Sequence, residues 1–306
     1  MAESDFIPPL WVTLALAALG GLAGFADLFV DRLWHAWSDP QWHAVRTGPY
    51  ALWILLICIQ PALWFVAIVP LGRVLRSLAP YGRGAARRIS VLAAEFGLLV
   101  AIGIGASGHL LHFPDYLPGH REKLLALSIL GALFGIAAAV GVWLTHEKLR
   151  TMAKAPITDA SVSELLETRD LLQNLFLFLG AVVGLAILAA AGERAAIGAF
   201  SDLTAEKDPG SFPQEYVLVY GIYFSILLAL LYLPVHLTLR VVGHRLRDHY
   251  FALPPPSDPA WQDVCGKRQT FDALLSLNIG PTASFKAGLA IFTPLLGSLT
   301  GLLLGK

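Results

Sequence analysis

The residues best suited to chemistry in this sequence are polar side chains within long apolar segments. Glu95 lies about six residues, or roughly 9 Å, inside its segment. A charge in hydrocarbon is costly, so such a residue faces a cavity, a hydrogen-bonding partner or a protonated state. Gln60, beside the kink-forming Pro61, is a possible partner, and Asp27 lies near the end of the first segment. We take Glu95, Gln60 and Asp27 as candidates for permeation or gating, with helix packing as the alternative.

Two histidines are the strongest indication of a metal. His109 and His112 are three residues apart and share one face of a predicted helix. Imidazole suits Zn or Cu, but the spacing lacks the pattern of a HExxH or CxxC site. Interfacial histidines bonded to loops are the favoured interpretation, so no cofactor is predicted and a Zn or Cu site is the minor alternative.

Small residues recur at a spacing of four in two segments. They are Gly20 and Gly24 in the first segment and Thr293, Gly297, Gly301 and Gly305 in the last. This spacing puts them on one helix face, where missing side chains let backbones approach closely. Packing within one subunit, an oligomer interface and a pore lining all fit the pattern.

A polar segment near the C-terminus predicts an amphipathic helix. Its apolar or partly apolar side chains follow at helical spacing after a proline-rich turn: Trp261, Val264, Arg268, Phe271 and Leu275. Such a face packs on its own chain, lies on the membrane surface or binds a partner. We expect packing on its own chain and keep these residues as partner-binding candidates.

The elements that must position these residues are membrane helices. Of the 306 residues, 56% are hydrophobic and 14% are charged, and the mean hydropathy is +0.63. A soluble domain has about 25% charged residues, and apolar runs of about 20 residues can cross a bilayer. The net charge is zero and there is no basic arm, so nucleic-acid binding is not expected. The sequence predicts an all-α polytopic membrane protein, with residues 1–306 forming a single membrane domain.

Seven apolar segments are candidate membrane spans. They cover residues 10–30, 51–72, 89–112, 124–146, 171–192, 216–239 and 284–305. The last contains Pro294 and several glycines, so a buried or re-entrant element is the alternative there. We expect six to seven transmembrane helices, with residues 240–283 forming a cytoplasmic helical extension and linker that contributes to a short stalk.

Basic residues in the connections predict the orientation. The connections after the second, fourth and sixth segments carry five, four and five Lys or Arg residues, whereas the other three carry two each. The positive-inside rule places the richer connections and the N-terminus in the cytoplasm. With seven spans the C-terminus is periplasmic or extracellular. The bias towards Ala, Leu, Gly and Arg, with few Lys, fits a GC-rich bacterial genome, so we expect the bacterial inner membrane.

The small-residue pattern, Glu95 and the cytoplasmic helices together favour an oligomeric channel or pore-like protein that is gated through those helices. The partners expected are the lipid bilayer, further copies of the chain, and a cytoplasmic protein or ligand. No catalytic motif stands out, so a non-enzymatic role is favoured. The alternatives are a small-solute transporter, an anchor or signalling subunit for a cytoplasmic partner, and a metal-dependent membrane enzyme.

Overall fold

A computed structural model describes residues 9–29, 43, 45–110, 120–204, 214–275 and 277. This part of the chain is all-helical. Its helices are α1 (Leu10–Phe29), α2 (Gly48–Gly82), α3 (Ala86–Leu110), α4 (His120–Lys154), α5 (Ser161–Thr204), α6 (Gln214–Tyr250) and α7 (Trp261–Leu274).

Five of these helices, α1, α2, α4, α5 and α6, are long and apolar enough to cross a membrane. The shortest, α1, has 20 residues and is therefore about 30 Å long, the thickness of the hydrocarbon core. Hydrocarbon offers no hydrogen bonds to the backbone, so a helix is the conformation in which each segment satisfies its own peptide groups. The chain is a helical membrane protein.

The predicted spans lie at the positions of the observed helices, but most of the helices are longer. The first six predicted spans fall on α1 to α6, and α2, α4, α5 and α6 have 35, 35, 44 and 37 residues. Helix α3 carries Arg87, Arg88 and Glu95 and is not one of the five candidate spans found among the described residues. Its crossing of the membrane stays a prediction. The segment 284–305 lies outside the described residues.

The main buried core lies between α4, α5 and α6. Ala138, Ala139 and Val142 of α4 have no exposed surface, and their short side chains allow the neighbouring helices to approach. Phe176 of α5 is fully buried in this core, and the edge of its ring meets Tyr232 of α6 at a centroid distance of 5.0 Å. The three helices therefore form the central body of the bundle, on which α2 and α3 pack.

Helix α1 lies against α2 through its glycine face. A Cβ atom on Gly20 would overlap the carbonyl oxygen of Pro61 and lie 2.7 Å from the Cα of Ala62. A Cβ on Gly24 would lie 2.8 Å from the carbonyl oxygen of Ile57. These backbones touch because neither glycine has a side chain, so the structure places Gly20 and Gly24 at a contact within one chain.

We expect Gly20→Ala to weaken this contact and Gly21→Ala to leave it intact. A Cβ on Gly21 would lie 3.9 Å from the carbonyl oxygen of Cys58, an ordinary contact distance. Both changes replace a helical glycine with alanine and so raise helix propensity equally. The difference between the free energies of unfolding of the two variants therefore reports the overlap at Pro61. Gly20→Ala should cost about 1–3 kcal/mol in the free energy of unfolding relative to Gly21→Ala. Thermal unfolding in detergent measures this, and equal midpoints for the two variants would contradict the contact.

Candidate functional site

The ends of α6 and α7 are joined by a charged cluster, defined as Arg247, Asp248, Arg268 and Asp272. Arg247 Nη1 donates to both carboxylate oxygens of Asp272, at 3.3 and 3.1 Å, and Asp272 is 7% exposed. Asp248 accepts hydrogen bonds from Arg247, at 3.0 Å, and from Arg268. Arg268 also donates to the backbone carbonyl of Phe251. These shared, charge-assisted bonds fix the orientation of α7.

The apolar side of α7 packs on its own chain. Leu275, directly after α7, is 2% exposed and belongs to the main core. Phe271 packs against the same core, with its ring centroid 5.4 Å from that of Phe251. The other predicted partner-binding residues are half-buried: Trp261, Val264 and Arg268. This arrangement is the one expected for the amphipathic helix, and partner binding by these residues stays a prediction.

Helix α6 also holds the connection between α4 and α5. Arg245 Nη1 donates to the carbonyls of Met152 and Ala153 at 3.0 and 2.7 Å, at the carboxyl end of α4. The Tyr250 hydroxyl donates to the carbonyl of Thr158 at 3.0 Å. The ends of α4, α5, α6 and α7 thus form one connected polar region.

Glu95 faces outwards from the chain. It is exposed, nine residues after the start of α3 and so about 13 Å along that helix. Leu98 and Ile102 on the same side of α3 are 62% and 52% exposed. Within the described residues Glu95 makes no hydrogen bond and no ion pair. The cavity or partner expected from the sequence is therefore not supplied by the described part of this chain.

The other two polar candidates lie elsewhere. Gln60 is 7% exposed, and its Nε2 donates to the carbonyl of Leu56 in its own helix at 3.5 Å, so no bond to Glu95 is seen. Asp27 is half-buried near the end of α1, where Lys123 donates to the carbonyl of Leu28 at 3.0 Å. The structure thus does not bring Glu95, Gln60 and Asp27 together by hydrogen bonds.

Several sequence-based candidates fall beyond what the structure describes. His109 lies in α3, but its side chain is not described, and His112 lies outside the described residues. The small residues of the last segment also lie outside them: Thr293, Gly297, Gly301 and Gly305. Among the described residues no three His, Cys, Asp or Glu side chains form a group that could hold a metal ion.

The alternative of a small-solute transporter predicts broken helices near the membrane midplane, for which Pro61, Pro234 and Pro294 offer partial support in the sequence. Helices α2 and α6 instead run continuously through Pro61 and Pro234. Pro294 lies outside the described residues.

Sequence reasoning missed the tyrosines that hold α3. The hydroxyls of Tyr220 and Tyr223 on α6 donate to the carbonyls of Gly103 and Leu99, at 2.8 and 2.7 Å. Their spacing of three on one helix face is equally typical of an interfacial aromatic belt. A tyrosine pair at helical spacing also suits bonding to a neighbouring helix, but the sequence does not identify that neighbour.

No protein-family model matches the chain, and no match is found to a curated protein or to a solved structure.

We expect Asp272→Asn to release α7 and the matched change Asp263→Asn to leave it docked. Asp272 is nearly buried and pairs with Arg247, whereas Asp263 is exposed and pairs with Lys267 one turn away at 2.7 Å. Losing a charge-assisted, partly buried pair costs about 2 kcal/mol, but an exposed pair is worth under about 0.5 kcal/mol. Amide exchange over residues 261–274 should therefore accelerate about tenfold or more in Asp272→Asn alone. Similar exchange in both variants would show that the cluster does not hold α7.

Proposed function

We propose that the chain is a subunit of an oligomeric, pore-like membrane protein whose copies meet at the Glu95 face of α3. The observation that carries this proposal is the exposed position of Glu95 on the outer side of a long helix. A carboxylate at the centre of a membrane helix costs about 2.5–3.5 kcal/mol on insertion scales. Contact with another copy, or with water in a pore between copies, removes that cost.

The composition of this face supports close helix contact. Ala94 and Ala101 are exposed beside Glu95, and they alternate along α3 with Leu98 and Ile102. Small residues allow a neighbouring helix to approach, and a polar side chain between them can bond across the interface. The same face therefore offers packing area and a group that water or an ion would meet.

The charged cluster offers a route for gating. Helix α6 is continuous from Tyr220 and Tyr223, which bond to α3, to Arg247, which bonds to α7. A ligand or protein that displaced α7 would change the forces on one end of α6, while the other end holds the helix that carries Glu95. In this proposal α7 is the gating element and α6 transmits its displacement.

The orientation is part of the same proposal. The distribution of Lys and Arg supports a cytoplasmic position for the charged cluster and for the N-terminus, in a bacterial inner membrane. The cluster and its neighbouring helix ends then form the short cytoplasmic stalk. The C-terminus is periplasmic if α3 and residues 284–305 both cross the membrane, which makes seven crossings.

The decisive test combines subunit mass and ion flux in reconstituted membranes. Wild-type protein should be oligomeric, and Glu95→Gln should weaken self-association by about 1 kcal/mol, or roughly fivefold in dissociation constant, and alter the flux. Glu167→Gln is the matched control because Glu167 is exposed outside the apolar part of α5. Asp272→Asn should change the flux and Asp263→Asn should not. A monomeric wild type without flux, or equal effects of the two glutamate changes, would contradict the proposal.

A further inference from the structure

A stripe of nitrogen-bearing side chains follows one side of α6 towards the charged cluster. This polar stripe consists of His236, Arg240 and His244, at a spacing of four residues. The Tyr232 hydroxyl lies 2.9 Å from His236 Nδ1, so the other ring nitrogen of His236 points away from that bond. His236 is 7% exposed, and Arg240 and His244 are half-buried. Arg240 is close enough for its charge to act on both imidazoles.

Each member of the polar stripe has a nitrogen without a hydrogen-bond partner in the described structure. The atoms are His236 Nε2, Arg240 Nε and His244 Nδ1, and all three are buried. Arg240 Nε always carries a proton, and an imidazole nitrogen becomes a donor when its ring takes the matching tautomer. A buried donor without an acceptor is unfavourable. An acceptor supplied by a ligand on this side of the helix would satisfy all three.

The other arginines near the end of α6 differ from Arg240. Arg245 donates to carbonyls of α4, and Arg247 pairs with Asp248 and Asp272. Arg268 pairs with Asp248 as well. Two carboxylates thus balance Arg247 and Arg268, whereas Arg240 has no acidic partner among the described residues. Arg245 also lacks a carboxylate but bonds to two carbonyls, so Arg240 is the arginine here for which the described residues supply no acceptor.

The position of Arg240 indicates the source of the missing anion. Leu233, Leu237 and Val241 of α6 are 46%, 50% and 59% exposed and form the lipid-facing side of the helix. Leu237 is one turn before Arg240, and Val241 directly follows it, so Arg240 borders this apolar side. A phosphate on an acyl-chain lipid can reach a guanidinium there while its chains lie along the leucines.

We propose that the polar stripe binds a phosphate-bearing anion, with Arg240 as its cationic centre and the imidazoles of His236 and His244 as hydrogen-bond donors one turn to either side. A phospholipid headgroup is the source that the adjoining apolar side favours, and free phosphate is the alternative source of the same chemistry. The guanidinium binds phosphate oxygens through two parallel N–H bonds, which a lysine cannot provide. This site is independent of the oligomeric pore proposed above.

The test measures how far two probes raise the thermal unfolding midpoint of the purified full chain. Unfolding midpoints in detergent are recorded against increasing phosphatidylglycerol, with phosphatidylcholine as the reference lipid, and separately against inorganic phosphate at constant ionic strength. Arg240→Gln should weaken the apparent affinity about tenfold or more, and His244→Gln should weaken it less. Arg87→Gln makes the same chemical change at an exposed arginine of α3 and should leave the affinity unchanged. Each variant is compared with its own ligand-free midpoint, so a lower basal stability does not affect the comparison.

The two probes separate the possible sources. Protection by phosphatidylglycerol that depends on Arg240 identifies a lipid headgroup, and equal Arg240-dependent protection by inorganic phosphate identifies a soluble anion. If Arg240→Gln does not fold, His244→Gln against Arg87→Gln decides the question by the same measurement. No protection of the wild type by either probe, or equal losses in the stripe variants and in Arg87→Gln, would overturn the proposal.

Discussion

Basic side chains donate hydrogen bonds to carbonyl groups at the carboxyl ends of four helices, and the arrangement of the bundle depends on these contacts. Lys123 bonds to the last turn of α1, Arg245 to that of α4, Arg268 to the residue after α6, and Arg169 of α5 to the carbonyl of Leu274 in α7. The last carbonyls of a helix have no partner within it and carry partial negative charge. In each case the cation comes from a different helix, so satisfying a helix end also fixes two helices together.

The helices themselves could be predicted because their information is local. An apolar run of about 20 residues is sufficient to indicate a helix in a membrane. The continuation of α6 to Tyr250 agrees with the helical extension predicted from residue 240. The apolar runs alone do not mark the ends of α2, α4 and α5, since these helices also continue as polar helix. Contacts between residues distant in the chain, such as Arg247 with Asp272, stabilise these polar extensions. No local sequence pattern predicts such a pair.

For the candidate sites as well, the sequence indicates features that depend on local composition but not those that depend on packing. The sequence indicated that Glu95 is unusual and that α7 has an apolar side, because both statements depend only on composition and spacing. Which neighbour covers each surface depends on packing: α7 is covered by its own chain, whereas Glu95 remains exposed. The sequence alone does not identify the polar stripe of α6, because a spacing of four is shared by ordinary interfacial residues and only burial without partners distinguishes the stripe.

The glycine contact between α1 and α2 has a consequence for how the protein is assembled. These helices are consecutive in the chain, and the contact of Gly20 with Pro61 involves no residue from α3 to α7. The pair can therefore form as a hairpin as soon as both helices have entered the membrane, while the ribosome is still synthesising the remainder. The contact of Lys123 with the end of α1 then attaches this early unit when α4 is inserted.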